Sequence, residues 1–386
     1  MADKQAVMFG AGNIGRGFLG QLFYESGYHT TFVDVQDTLV DALNARGEYP
    51  LRIVDDTSTN VTIRNVSAIN ARDSDGVAEA LAGADIAATA VGVHVMPAIA
   101  AALASGIARR FERSNAAPLD IIVCENLIGA GPFMRSRVRE SLDPRFHNVL
   151  ESSVGFVEAS IGRMVPVLTA ELIAEDPLLI EVEAYRDLPV DRAGFRGPIP
   201  PIVSLQAKDN FGAYVERKLF VHNLGHAATA YLGYQRGHSY IWQAIEDTEV
   251  RGIVEGAMAE TCLGLYRKHG MPLDDLTAHA ADLRRRFANK ALGDQITRVA
   301  RDPIRKLGPN DRLIGAVHMC LDQGVPPLNV VKAIRAAIQY DNPEDPASQT
   351  IQAIRRERGD ATVLREIGGV GEGDALLEMM GLRAEG

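Results

Sequence analysis

Apolar residues follow two rhythms along this chain, and the change between them falls near its middle. In the first half, short and almost uninterrupted apolar runs (AVMF, HTTFV, IAATA, LDIIVC) end in glycine or polar turns, the pattern of strands buried on both faces of a parallel sheet. Helical stretches lie between them. LLIEVEAY instead alternates apolar and charged residues and reads as a half-exposed strand, antiparallel, at or beyond the sheet edge and the last of its domain. A Pro/Gly-rich connector, Asp187 to Val203, follows, and beyond it strand signals nearly vanish. Helical periodicity or composition predicts helices over Val215–Tyr234, Ile241–His269, Leu276–Ala288, Leu313–Gln323, Leu328–Gln339 and Ala347–Arg358. GGVGEG then leads to one last short helix, DALLEMMGL. The fold class is α/β: an N-terminal Rossmann-type doubly wound sheet over residues 1–190, then an all-α C-terminal domain over 203–386, with a cleft between them.

The first strand carries the first candidate chemistry. Ala6, Val7, Met8 and Phe9 run into Gly10-Ala11-Gly12-Asn13-Ile14-Gly15-Arg16-Gly17, and Gly10, Gly12 and Gly15 have the G-x-G-x-x-G spacing. That spacing provides a tight turn, close backbone approach to a pyrophosphate, and close packing of helix on strand. The helix has Ile14, Phe18, Leu19, Leu22 and Phe23 on one side and ends at Gly27. Asp34 closes the next strand, 19 residues beyond Gly15, where a carboxylate accepts bonds from ribose hydroxyls and repels a 2′-phosphate. Neither Val35 nor Gln36 is basic, so NAD is favoured over NADP; FAD shares the fingerprint and stays open.

The second candidate site interrupts an apolar helix in VERKLFVHNLGHAATAYLG. At about 100° per residue, with Lys218 at zero, His226 falls at about 80° and Asn223 at about 140°, one broad face. The alternative is a snorkelling lysine with an amide and imidazole serving core partners. Oxidising a secondary alcohol needs a base, and an amine flanked by Leu219, Phe220 and Val221 is pushed toward its neutral form by partial burial. Asn126 stands at the end of LDIIVCEN, where open α/β sheets bind ligands, and with Asn223 could hold a developing alkoxide; its other reading is a turn-forming Asn. His226 would orient a neighbouring hydroxyl, and His222 is a rival on the same face.

Composition narrows the partners. The chain has 386 residues, 46% hydrophobic, with net charge −10, so it opposes nonspecific nucleic-acid and anionic-membrane binding, and neither is an expected partner. Cys124, Cys262 and Cys320 are odd in number, widely spaced and in apolar surroundings, which suits reduced thiols in a cytoplasm. No C-x-x-C or H-E-x-x-H occurs, and no metal is expected. Ile86–Ile107 is long and apolar, but Gly92, His94 and Pro97 divide it into strand, turn and helix rather than a membrane span. MADKQ leads into a run too short for a signal peptide, so the cytosol is the expected location.

Three stretches, GAGNIGRGFLGQL, VERKLFVHNLGHAATAYLG and RDPIRKLGPNDRLIGA, resemble the polyol-specific long-chain dehydrogenases, the mannitol dehydrogenase family, over nearly the whole chain. Lys218, Asn223 and His226 fit that family's K-x4-N-x2-H signature position by position. The resemblance implies a general-base lysine, an oxyanion site made of Asn223 and Asn126, and substrate binding by His226. It further implies interconversion of D-mannitol 1-phosphate and D-fructose 6-phosphate with NAD, hydride leaving C5, without zinc and often by a monomer. One departure is Gly162 in SIGRMVP, where the family usually has an aspartate before Arg163. Longer relatives act on free mannitol or reduce sugar acids such as fructuronate. A phosphorylated substrate needs cations, and Arg163, Arg217, Arg301, Arg305, Lys306 and Arg312 are candidates. A noncatalytic NAD-binding sensor is the alternative of another class, although the chain has no basic DNA-binding module. Lysine-dependent dehydrogenases of hydroxy acids or phosphogluconate share the architecture, but their K-x-x-x-N spacing is not met.

Overall fold

Four residues explain how the first unit is layered. In β1 (Lys4–Phe9), Ala6 and Met8 enter one hydrophobic core while Val7 and Phe9 enter another, so the strand is apolar throughout because both of its faces are covered. Each fully buried Val, Phe or Met contributes on the order of 1.5–3 kcal/mol. The computed structural model describes residues 4–55, 57–113, 117–166 and 168–382. Two compact units divide at Phe211 and Gly212. Met1 to Asp3, with which the expected first domain and the leader reading begin, and Arg383 to Gly386, with which the second ends, lie outside the described residues.

The other strands of the first unit are β2 (Tyr28–Asp34), β3 (Glu48–Ile53), β4 (Thr59–Arg64), β5 (Val66–Asn70), β6 (Ile86–Thr89), β7 (Leu119–Val123), β8 (Val154–Glu158), β9 (Ile180–Val182), β10 (Leu188–Asp191) and β11 (Leu205–Lys208). Six of them form a parallel sheet ordered β5-β2-β1-β6-β7-β8. Its helices are α1 (Gly20–Glu25), α2 (Asp37–Arg46), α3 (Ser74–Gly83), α4 (Met96–Glu112), α5 (Ala130–Ser141), α6 (His147–Ser153) and α7 (Ala170–Glu175). The strand order changes direction between β1 and β6, the switch point at which doubly wound sheets take ligands.

Two expectations fail here. LLIEVEAY contributes β9, which runs parallel to β3 in a separate three-stranded sheet, β4-β3-β9, and is not the last strand. The alternation itself was informative: Ile180 and Val182 are buried while Glu181 pairs with Arg52 at 2.9 Å, but alternation does not name a partner strand. The Asp187–Val203 connector is no linker either. It holds β10, which pairs with β11, and it buries Leu188, Val190 and Ile202 in the first unit's core.

The second unit is helical: α8 (Phe211–Arg217), α9 (Leu224–Gln235), α10 (Ile241–Glu246), α11 (Thr248–His269), α12 (Leu273–Phe287), α13 (Ile296–Ala300), α14 (Pro303–Lys306), α15 (Ile314–Asp322), α16 (Leu328–Ile338), α17 (Pro346–Glu366) and α18 (Ala375–Met379). Val330, Ala333, Ile334 and Ala337 illustrate the buried stripe that makes α16 a helix. The single helix expected over Ile241–His269 is two, because Asp247 caps α11 by accepting from Glu249 N at 2.9 Å and Val250 N at 3.3 Å. The expected Ala347–Arg358 helix continues to Glu366 across a kink at Gly359 (φ 78°). Among the described residues no helix is long and apolar enough to cross a membrane.

Candidate active site

The glycine loop sits at the carboxyl end of β1. Gly10 has φ 92°, and a Cβ on Gly15 would overlap the Gly10 carbonyl oxygen, so both positions exclude a side chain. Gly12 is different: it is exposed and a Cβ there would meet nothing within 4 Å, leaving its backbone open to a ligand. Asp34 Oδ2 accepts from Ala11 N at 2.8 Å and its Oδ1 from Gln36 N at 3.1 Å. The carboxylate is thereby anchored with lone pairs remaining for ribose hydroxyls. An open glycine, a half-exposed Ile14 and a carboxylate at the end of β2 fit a dinucleotide.

Not every residue expected to bind the cofactor offers it a surface. Ala6, Val7, Met8 and Phe9 are core residues of β1, and Gly15, Arg16 and Gly17 are buried. The Arg16 guanidinium donates to Ala11 O and Leu178 O, both at 2.6 Å, so it braces the loop from behind; burial lowers its pKa. Gly12 and Asn13 are exposed and Ile14 and Asp34 half-buried. At the end of β7, buried Glu125 accepts from Val91 N and Gly92 N, each at 2.8 Å, tying two ligand-side loops together. Its neighbour Asn126 is exposed in that loop.

In the second unit, the expected continuous α-helix contains a π-helical turn, Lys218–Asn223, between α8 and α9. Leu224 N donates to Leu219 O, five residues back. This changes the angular argument: a π turn closes i→i+5 hydrogen bonds and rotates less per residue, so Lys218 and Asn223 are brought closer in angle than the roughly 140° of an unbroken α-helix. His226 follows three residues later on α9, a neighbouring position on the same face. Lys218, Asn223 and His226 are all half-buried. Burial, and after it the nearby charge of Arg312, lowers the Lys218 amine to about 8.

The imidazoles have separate surroundings. His226 stacks on Phe287 (5.1 Å between ring centres, 11° between planes), and its Nε2 lies 2.7 Å from Asp294 Oδ2. His222 is buried, and burial together with Arg286 holds its pKa well below the ordinary imidazole value. It is a neutral core residue rather than a rival to Lys218. Although His222 and His226 are four apart, among the described residues no group of three His, Cys, Asp or Glu side chains could hold a metal ion.

The cation candidates separate as well. Arg163 is buried in the first unit and donates to Glu183 O, Gly17 O and Gln21 Oε1, so it is structural. Arg217 lies over the Tyr214 ring, and Arg305 pairs with Asp302 and Asp311. Arg301 is exposed. Lys306 is buried on α14, a one-turn helix inside what read as a loop, and donates to Arg301 O; burial and then Arg312 bring it down to about 7. Arg312 therefore acts electrostatically on both Lys218 and Lys306, and it was indistinguishable from the other arginines in the sequence. Gly162 leaves room that Tyr185 borders: a Cβ there would stand 3.2 Å from the ring.

A parallel sheet with a glycine-rich loop at its switch point, followed by a helical unit carrying a desolvated lysine, an amide and an imidazole in one stretch, has the plan of a two-domain dehydrogenase. Residues 4–204 match the Mannitol dehydrogenase Rossmann domain and residues 210–380 the Mannitol dehydrogenase C-terminal domain. The chain belongs to the mannitol dehydrogenase family. Similar solved structures include a Pseudomonas fluorescens mannitol 2-dehydrogenase in ternary complex with NAD and D-mannitol (17% identity, TM-score 0.71, 95% of this chain and 87% of that one). Another is a substrate-free D-sorbitol dehydrogenase (17% identity, TM-score 0.75, 98% of this chain and 92% of that one). At that identity the likeness speaks for the fold alone.

Proposed function

We propose that the chain interconverts D-mannitol 1-phosphate and D-fructose 6-phosphate, using Lys218 as general base. The observation that carries this reading is the Lys218 amine, set on a π-helical turn and lowered to about 8, so that a sizeable fraction is neutral near physiological pH. NAD, held at Gly12, Asn13 and Asp34, supplies the hydride acceptor when bound. Lys218 takes the C5 hydroxyl proton as the hydride departs, and returns it in the opposite direction. Asn223 and Asn126 donate to the oxygen on which charge develops, each contributing roughly 2.7 to 4 kcal/mol in the transition state. His226 orients an adjacent hydroxyl.

Arg312 and Lys306 support the phosphorylated substrate, because Arg312 acts on Lys218 and on Lys306 alike and a dianion there would offset the repulsion among these cations. Three buried free cysteines fit a reducing, cytoplasmic setting. The test is NADH consumption with fructose 6-phosphate, fructose and fructuronate side by side. Two charge-assisted contacts predict that kcat/KM for fructose 6-phosphate exceeds that for fructose by on the order of 100-fold or more. Equal or inverted values would favour an unphosphorylated polyol or sugar acid, the first of which matches the substrates named for the similar structures. NADH binding without turnover of any of the three would favour a sensor.

A further inference from the structure

His226 is the one member of the lysine–asparagine–histidine set whose ring is gripped from two sides. Phe287 stacks on its plane, and Asp294 Oδ2 meets its Nε2 at 2.7 Å. Asp294 is itself buried and fixed in place. Its backbone carbonyl accepts from Ile241 N at 2.9 Å, the next residue Gln295 bridges to Tyr240, and Ile296 N donates to Ser239 O at 2.9 Å. The other carboxylate oxygen, Oδ1, is taken by Arg298 on α13. A carboxylate held so rigidly cannot follow a wandering ring; the ring must conform to it.

We propose that Asp294 is a positioning residue that fixes His226 as the Nε2–H tautomer, leaving Nδ1 as the acceptor for a substrate hydroxyl. This rests on the reading of His226 as a substrate-orienting group. The logic is one of donors and acceptors. An ionised carboxylate can only accept, so the nitrogen facing it must carry the hydrogen, and in a neutral imidazole the other nitrogen then carries the lone pair. Asp294 is held below the ordinary carboxyl value: burial alone would raise it, but the bond and charge of His226, and after them the charge and bond of Arg298, outweigh burial. Arg298 also pairs with the buried carboxylate through its other oxygen. Charged and titratable groups around the ring include Asp294 and Arg298 on one side and, on the other, the buried His222, 6.3 Å away between ring centres, on which Arg286, His279 and Lys218 also act.

The consequence for substrate class is specific. An accepting Nδ1 favours a carbon bearing a hydroxyl beside the reacting one and disfavours a carboxylate there, which would set lone pair against lone pair. A polyol or ketose fits this position; the acid group of a sugar acid does not.

The experiment uses the full-length protein and Asp294→Ala and Asp294→Asn. Long-range ¹H–¹⁵N correlation spectra in alkaline buffer, with the His226 ring assigned by its disappearance in His226→Gln, read the tautomer without any substrate. The wild type is expected to give the Nε2–H pattern, Asp294→Ala a mixture of tautomers, and Asp294→Asn, whose amide oxygen can still accept, a pattern closer to wild type. With fructose 6-phosphate, Asp294→Ala should lower kcat/KM by roughly 10- to 100-fold, with partial recovery in Asp294→Asn. A wild-type ring protonated at Nδ1, or an unchanged His226 spectrum in Asp294→Ala, overturns the proposal. Because the spectra are of the free protein, a chain that turned over no sugar phosphate would undo the substrate reading while leaving the tautomer assignment decided. If Asp294→Ala fails to fold, Asp294→Asn and the wild-type spectrum still decide it.

Discussion

Lys218 shows what a single residue can be made to do by its neighbours. Its amine is lowered to about 8 by burial first and Arg312 second, so alcohol oxidation should accelerate as pH rises through about 8 and then level off, while ketone reduction should decline over the same range. Arg312→Gln removes one cause, and the inflection should move to higher pH; an unmoved inflection would take Arg312 out of the site. Lys306 tests the cost of such burial. Its folded value, about 7, lies below the ordinary 10.5, so the unfolded chain binds more protons between those values. The destabilisation is therefore full below about pH 7 and is relieved as pH climbs toward 10.5. Lys306→Met should raise thermal stability at neutral pH by on the order of 1–3 kcal/mol, a gain that shrinks in alkaline melts. Lys218, Asn223 and His226 could be singled out in the sequence because they lie in one stretch. Asp294 could not, since folding alone brings it to His226 from 68 residues away, and Arg312, one of six candidate cations, could not be told from the others.

At the scale of elements, the glycine loop and the π turn carry the account. Gly12→Ala adds a methyl to open space and should leave the melting temperature nearly unchanged while weakening NAD, read by titrating NADH fluorescence. Gly15→Ala drives a methyl into the Gly10 carbonyl and should cost roughly 1–3 kcal/mol or more, seen in a denaturant melt. Equal melts for the two variants would contradict the loop geometry. The strand–glycine–helix–strand unit and its Asp34 could be read from the sequence because local spacing encodes them. The π turn could not: six residues are too few to distinguish one helical period from another. Partner strands were equally hidden, as β9 shows, because pairing with β3 is decided by the packing of Ile180 and Val182 rather than by their alternation.

For the whole molecule, the two-part α/β and helical plan followed from the change in hydrophobic rhythm, while the boundary did not, because the proline-rich stretch hides the pairing of β10 with β11. Cofactor choice is a property of the assembled enzyme: Asp34→Ala should raise the KM for NAD and relax discrimination against NADP, and an unchanged preference would remove Asp34 from the site. Substrate choice follows the cation pair, through the three-sugar comparison of NADH consumption. The central claim is that one desolvated amine accepts the hydroxyl proton. The most direct measurement is the pH dependence of kcat/KM for D-mannitol 1-phosphate oxidation in wild type and Lys218→Ala, with NADH affinity measured in both. The account predicts one ionisation near 8 in the wild type. In the variant, turnover should fall by at least about 100-fold, with that ionisation gone and NADH bound as before. A variant that keeps near-wild-type turnover and the same ionisation would contradict it.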